Sequence, residues 1–176
     1  MTNTVKSGAM NKTLSIKHID TTLIRGLCAD AAESHRQRVT FLLHDGLADP
    51  VQRFLNVMQP GTYVRPHRHD DPAKWELTVL LSGRMVMLIL EADGIVRERI
   101  ELDAAGPERG LELPPRAWHT SAVLAPNTVL LEIKPGPYDP LTDKDFATWA
   151  PAEGQTECTA FERKFRTAQP GDKLAG

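Results

Sequence analysis

The chain has 176 residues, a formal net charge of −2 and two cysteines, Cys28 and Cys158. That length suits one domain with a substantial core, the charge balance gives no reason to expect a nucleic-acid partner, and so few cysteines argue against a disulfide framework. No run approaches the roughly 18 apolar residues that span a membrane, and residues 1–18 lack an apolar signal-peptide core, so a cytoplasmic protein with no membrane partner is expected.

Residues 1–15 have no periodicity and are expected to form a flexible tail, followed by a single domain over residues 16–166. Ile19, Leu23, Leu27 and Ala31 recur every fourth residue with Ile24 and Cys28 beside them, which predicts an amphipathic helix over about 20–36. Its end is placed near Ser34 to Arg38, where basic residues suit a helix C-terminus. Cys28 reads as a member of the apolar stripe rather than a nucleophile, and His18, His35 and His44 read as surface residues.

From about residue 40 to 135 the pattern becomes one of short strands and turns, with 13 prolines in the chain to separate them. Residues 41–43, 51–58, 76–82, 85–90, 95–102, 111–113, 120–123 and 129–134 are the strand candidates. Glu91-Ala92-Asp93-Gly94 marks a hairpin, and Pro135-Gly136-Pro137 ends the strand region. Residues 138–151 are too irregular for a strand, with Phe146 and Trp149 expected to anchor them over an open edge or end. Residues 157–166 predict a short helix with Phe161 and Phe165 on one face, and 167–176 a disordered tail.

Chemistry concentrates between Gly61 and Gly83. Alternate residues of a strand share a face, so Tyr63, Arg65, His67 and His69 are expected on one side, with the two histidines pinching a single ion. Glu76 opens the next strand and His119 follows Pro114-Pro115-Arg116-Ala117-Trp118, so both can close the site. Three imidazoles and a carboxylate suit one divalent first-row transition metal, whether Fe, Mn, Ni, Co or Zn.

Gly61-x5-His67-x-His69, Glu76-x6-Gly83 and Pro114-x4-His119 resemble the two metal-binding motifs of the cupin superfamily. The runs 50–53 and 60–69, Trp118-His119, and the runs 136–139, 143–147 and 149–151 resemble more narrowly the WbuC family, cupin-fold metalloproteins often associated with polysaccharide (O-antigen) gene clusters. The resemblance covers residues 16–166. It implies a mainly β, jelly-roll barrel with an N-terminal helix and an irregular, partly helical C-terminal segment, and implies His67, His69, Glu76 and His119 as the ligands. Three positions depart from the cupin pattern: six residues separate His69 from Glu76, so Asp70 to Lys74 must bulge; Arg116 replaces the usual glycine; and Val123 replaces a frequent asparagine.

Glu132 and Lys134 share a strand face opposite Val129, Leu131 and Ile133 and enter the pocket if that apolar face packs outward. With Arg65 and Tyr63 they are the candidate catalytic residues, and Tyr63 and Trp118 are candidate walls for a sugar ring. Cations beside a metal favour a small polar or anionic ligand. With these residues the resemblance implies a metalloprotein acting on a sugar or sugar nucleotide, as an isomerase or epimerase would, and the resemblance alone implies surface-polysaccharide biosynthesis. The alternatives are an Fe(II)-dependent small-molecule dioxygenase and a non-catalytic, metal-dependent carbohydrate-binding module. The amphipathic helix also offers a surface for a homodimer.

Overall fold

The computed structural model describes residues 16–175; the expected N-terminal tail lies outside them. Helix α1 (Thr21–Glu33) begins where Asp20 accepts from the Thr22 and Leu23 amides, satisfying two of the unpaired donors of its first turn. It stops at Ser34, short of the basic residues expected to close it. Arg36 and Arg38 instead pair with Glu153, more than a hundred residues away.

Ten strands follow: β1 (Arg38–Leu42), β2 (Val51–Met58), β3 (His67–Arg68), β4 (Glu76–Ser82), β5 (Arg84–Leu90), β6 (Val96–Asp103), β7 (Gly110–Leu113), β8 (Trp118–Val123), β9 (Thr128–Pro135) and β10 (Asp145–Phe146). They form two antiparallel five-stranded sheets, ordered β1-β2-β9-β4-β7 and β10-β3-β8-β5-β6. The last element is helix α2 (Cys158–Thr167).

Alternation along the strands sorts side chains into layers. Between the sheets, Met58, Leu80, Met85, Ile89, Val123 and Leu130 form an apolar plug. The outer face of the first sheet sends Val57 and Val129 under α1, against Ala31, Leu27 and Cys28. That burial turns the odd-numbered β9 residues outward and Leu130, Glu132 and Lys134 inward, so the alternation expected of β9 holds. The second sheet carries Val86, Leu88 and Ala122 on its outer face, where α2 covers them with Phe165.

Two tight turns set the frame. At Gln59-Pro60-Gly61-Thr62 the Thr62 amide donates to the Gln59 carbonyl (3.2 Å), with Gly61 at φ +97°, the glycine position of a type II turn. Gly83 (φ +79°) lets β4 turn into β5 against Thr128, whose Oγ1 lies 2.3 Å from where a Cβ would stand.

The expected disordered tail is instead built into the fold up to its described end. Val96 donates to the Asp172 carbonyl, Leu174 donates to Gly94, and the Leu174 side chain is buried with Phe165 and Tyr63. Residues 138–151 do cover a sheet edge, since β10 pairs with β3. Of the two expected anchors, Phe146 is 43% exposed, whereas Trp149 is partly buried against the outer core and stacks on Phe161; Asp143, Ala147 and Ala150 are the fully buried residues of that segment.

Candidate metal centre

The ladder β10-β3-β8 assembles the histidines. His67 pairs directly with His119 across the antiparallel β3–β8 ladder, which puts both side chains on the inner face with ring centroids 4.3 Å apart. His69 lies two residues on, and Glu76 opens β4 in the facing sheet. All four are buried, and one ring nitrogen of each histidine lies within 4.8 Å of the others. Glu76 Oε2 is 3.0 Å from His69 Nε2, and Oε1 is 4.0 Å from His119 Nε2. The longer His69–Glu76 spacing is absorbed by a turn, Asp71 to Lys74, in which the Lys74 amide donates to Asp71 (3.0 Å).

Each imidazole has its Nδ1 edge on a main-chain carbonyl: His67 on Arg65 (2.8 Å), His119 on Ala117 (2.9 Å) and His69 on Asp143. A carbonyl only accepts, so each Nδ1 carries the proton and each Nε2 presents a lone pair to the centre. His69 Nε2 and Glu76 Oε2 are then two acceptors 3.0 Å apart, a contact that needs a proton or a cation. This donor set fits a divalent first-row metal, with the carbonyls fixing ring tautomer and orientation from behind.

The electrostatics agree. Burial, with Lys144 and the neighbouring histidines, pushes His67 well below the usual imidazole value, and burial likewise lowers His119. Both are therefore neutral, as ligands must be. Burial alone would raise the Glu76 carboxyl; with no ion present its lowering depends on a proton on His69 Nε2, the place a bound cation would take, and on the charges of His119 and Lys134.

Arg116, where a glycine was expected, keeps the glycine-like backbone at φ +66°. Its amide donates to the His69 carbonyl (3.0 Å) and its exposed Nε to the Asp70 carbonyl (3.0 Å), which ties the turn before His119 to the end of β3. A left-handed conformation costs an ordinary residue about 1–2 kcal/mol, which these two bonds offset.

His67, His119, Glu76, Thr78, Met87 and Ser121 border an inner cavity of about 90 Å³ that Glu132 also lines. Lys134 is buried behind it, 2.8 Å from Asp143 and 4.0 Å from Glu76. Tyr63 and Arg65 are not in this cavity. Pro66 lacks an amide for the ladder, so β3 begins only at His67 and the shared parity with Tyr63 and Arg65 fails. Tyr63 stacks on Phe165 and donates to the Pro151 carbonyl (2.9 Å), while Arg65 lies over Phe146 and donates to Ala147 (3.0 Å). Trp118 also faces away, under Arg68.

Asp143 was missed as a functional residue. Its carboxylate takes both Lys74 (2.7 Å) and Lys134 (2.8 Å) while its carbonyl holds His69. Lys144, Asn56 and Arg38 were missed too, and all three border the inner cavity.

A family model described as a domain of unknown function (DUF6016) matches residues 19–102, just under half of the chain. A comparison with curated proteins found no match. Among solved structures, CapF with the inhibitor 3-isopropenyl-tropolone is similar at a TM-score of 0.52 and 20% identity, over 64% of this chain but only 32% of that one. Recombinant oxalate oxidase in complex with glycolate is similar at 0.50 and 13%, over 67% and 59%. A cupin superfamily protein from Desulfitobacterium hafniense aligns at 0.45 and 22%, over 58% and 80%. The chain has the cupin fold. Among the described residues, the buried group His67, His69 and His119 could hold a metal ion. Among the described residues no helix is long and apolar enough to cross a membrane.

Proposed function

We propose that this cupin is a metalloprotein in which His67, His69, Glu76 and His119 hold one divalent transition metal beside a pocket for a small polar or anionic ligand. The observation that carries it is the set of three Nδ1–carbonyl contacts, which leave three Nε2 lone pairs on one buried point next to a carboxylate. When bound, such an ion supplies Lewis-acid polarisation of a carbonyl or stabilises an enediolate. The chain's own groups would bind and orient the ligand: Glu132 lines the inner cavity, and burial with the charge of Glu76 raises its carboxyl to about 7, suited to holding or moving a proton near neutrality. Lys134, kept charged chiefly by Glu76 and Asp143 against the effect of burial, would favour an anion.

The ligand class we favour is a sugar or sugar nucleotide of surface-polysaccharide biosynthesis. It is supported by the resemblance of residues 50–53, 60–69, 118–119, 136–139, 143–147 and 149–151 to the WbuC family, and a cytoplasmic location is part of the same proposal. Elemental analysis of untagged protein, wild type against His67→Ala and His119→Ala, tests the metal: near-stoichiometric metal in wild type and little in either variant is expected. Wild type that holds no metal even after reconstitution overturns the reading. Failure of the metal-loaded protein to bind or convert any compound in a nucleotide-sugar screen overturns the ligand class alone. Light scattering at micromolar concentration tests a homodimer formed through α1, which a monomer would refute.

A further inference from the structure

A second, larger compartment of about 320 Å³ lies between the inner faces of β1, β2 and β9 and the segment after β9. It falls within the usual size range of small-molecule sites, roughly 300–1,000 Å³. Arg38, Asn56, Glu132 and Lys144 line both this compartment and the inner cavity, so the two share a wall. Phe54 and Tyr138 supply aromatic surface on either side of Lys134, whose Nζ is 5.9 Å and 5.8 Å from their ring centres.

Its cations are not all compensated. Arg36 and Arg38 share one carboxylate, Glu153, and Lys134 shares Asp143 with Lys74. Among the described residues, Lys144 has no ion-pair or hydrogen-bond partner for its ammonium group. Glu132, the carboxylate in the shared wall, is raised by burial toward neutrality and accepts from Asn56. Burial and the charge of Lys134 lower the Lys144 ammonium, and the more distant carboxylates Glu76, Glu132 and Asp143 only partly offset them.

His44, read from sequence as a surface residue, points to the same place. It is 4% exposed and lines the compartment, yet its Nε2 has no hydrogen-bond partner. Its Nδ1 lies 2.8 Å from the Arg53 carbonyl and 3.0 Å from the Arg53 amide, so it can donate to the one or accept from the other, and in the second tautomer Nε2 carries the proton and can donate to a ligand. A buried polar atom left unpaired costs about 1–3 kcal/mol unless a ligand pairs with it.

We propose that the outer compartment is an anion-accepting subsite, in which Lys144 and His44 bind the carboxylate or phosphate of a hexose-sized ligand whose other end reaches the inner cavity. The inference deepens the proposed function and rests on it for the role of the inner cavity.

Isothermal titration of the protein as purified with glucose, glucuronate and glucose 6-phosphate tests it, with metal content measured on the same samples. At least one anionic sugar is expected to bind tenfold or more tightly than glucose, and which of the two does so separates a carboxylate from a phosphate preference. Lys144→Gln should abolish that preference without loss of metal, and Lys144→Arg should keep it. His44→Phe, which fills the space without the ring donor, should weaken the preferred anion about fivefold, the value of one net hydrogen bond. Equal binding of all three sugars, binding of none, or a preference that survives Lys144→Gln overturns the proposal. Wild-type protein that holds no metal even after reconstitution, yet still discriminates the anion, overturns the metal reading and leaves the subsite standing.

Discussion

Asp143 is where the structure makes its sharpest energetic prediction. It is 2% exposed and takes two ammonium groups, Lys74 and Lys134, one on each oxygen. Asp143→Asn keeps the size and the backbone carbonyl under His69 but leaves two buried or nearly buried cations without their anion. Removing one partner of a buried pair costs roughly 3–5 kcal/mol. In a chain of this length each kcal/mol lowers Tm by about 2–4 °C, so a drop of about 6–20 °C is expected. Lys134→Met is milder, because Asp143 keeps Lys74. Urea and thermal unfolding of metal-free protein at pH 7 separate the two. The pH dependence provides a further check: burial opposes the charged Asp143 carboxylate, but Lys134 and Lys74 win and hold its pKa below the ordinary value. Its contribution is therefore complete above about pH 4, the unfolded carboxyl value, and fades as pH falls through the lower folded value. The deficit of Asp143→Asn should shrink over that acid range. A deficit under about 1 kcal/mol at neutral pH, or a larger loss in Lys134→Met, refutes the account.

Because His67 and His119 have lowered pKa values, the metal-free protein should lose stability as pH falls below about 6.5, where unfolded imidazole takes up protons that the folded rings resist. Metal should leave as pH falls through about 6 and below, followed by dialysis and elemental analysis; full retention at pH 4 would rule out the four-ligand site. Leu174→Ala should cost about 2–5 kcal/mol by chemical denaturation, as burial in the core under α2 requires, whereas Leu141→Ala, 89% exposed, should change stability little. Gly83→Ala should also destabilise, since a Cβ there meets Thr128 at φ +79°; unfolding midpoints indistinguishable from wild type would mean the turn can relax.

Much of this was legible in local patterns. The four-residue recurrence from Ile19 marks α1, period-two alternation marks β4 and β9, short β-like or wholly apolar runs mark β2 and β5, and the two-residue spacing of His67 and His69 marks the site. Even the inward turn of Glu132 and Lys134 follows from the apolar face opposite them. Alternation failed at Tyr63 and Arg65, because it describes residues inside a ladder and Pro66 delays the ladder until His67. Asp143, Lys144 and His44 left no local signal: what makes each of them chemical is a partner, or the lack of one, supplied by distant segments. The ordered C-terminal run is similar, since only its bonds to Gly94 and Val96 give Leu174 a place to be buried.

The contact between His69 and the Asp143 carbonyl joins positions 74 apart in sequence. During synthesis, His67 and His69 leave the ribosome well before the carbonyl that orients His69, and before His119. A nascent chain therefore has two histidines able to bind ions loosely but not the arrangement that would hold one firmly. On the proposed metal reading, selection of the ion would fall to the finished chain, once β10 has closed against β3 at the edge of the second sheet.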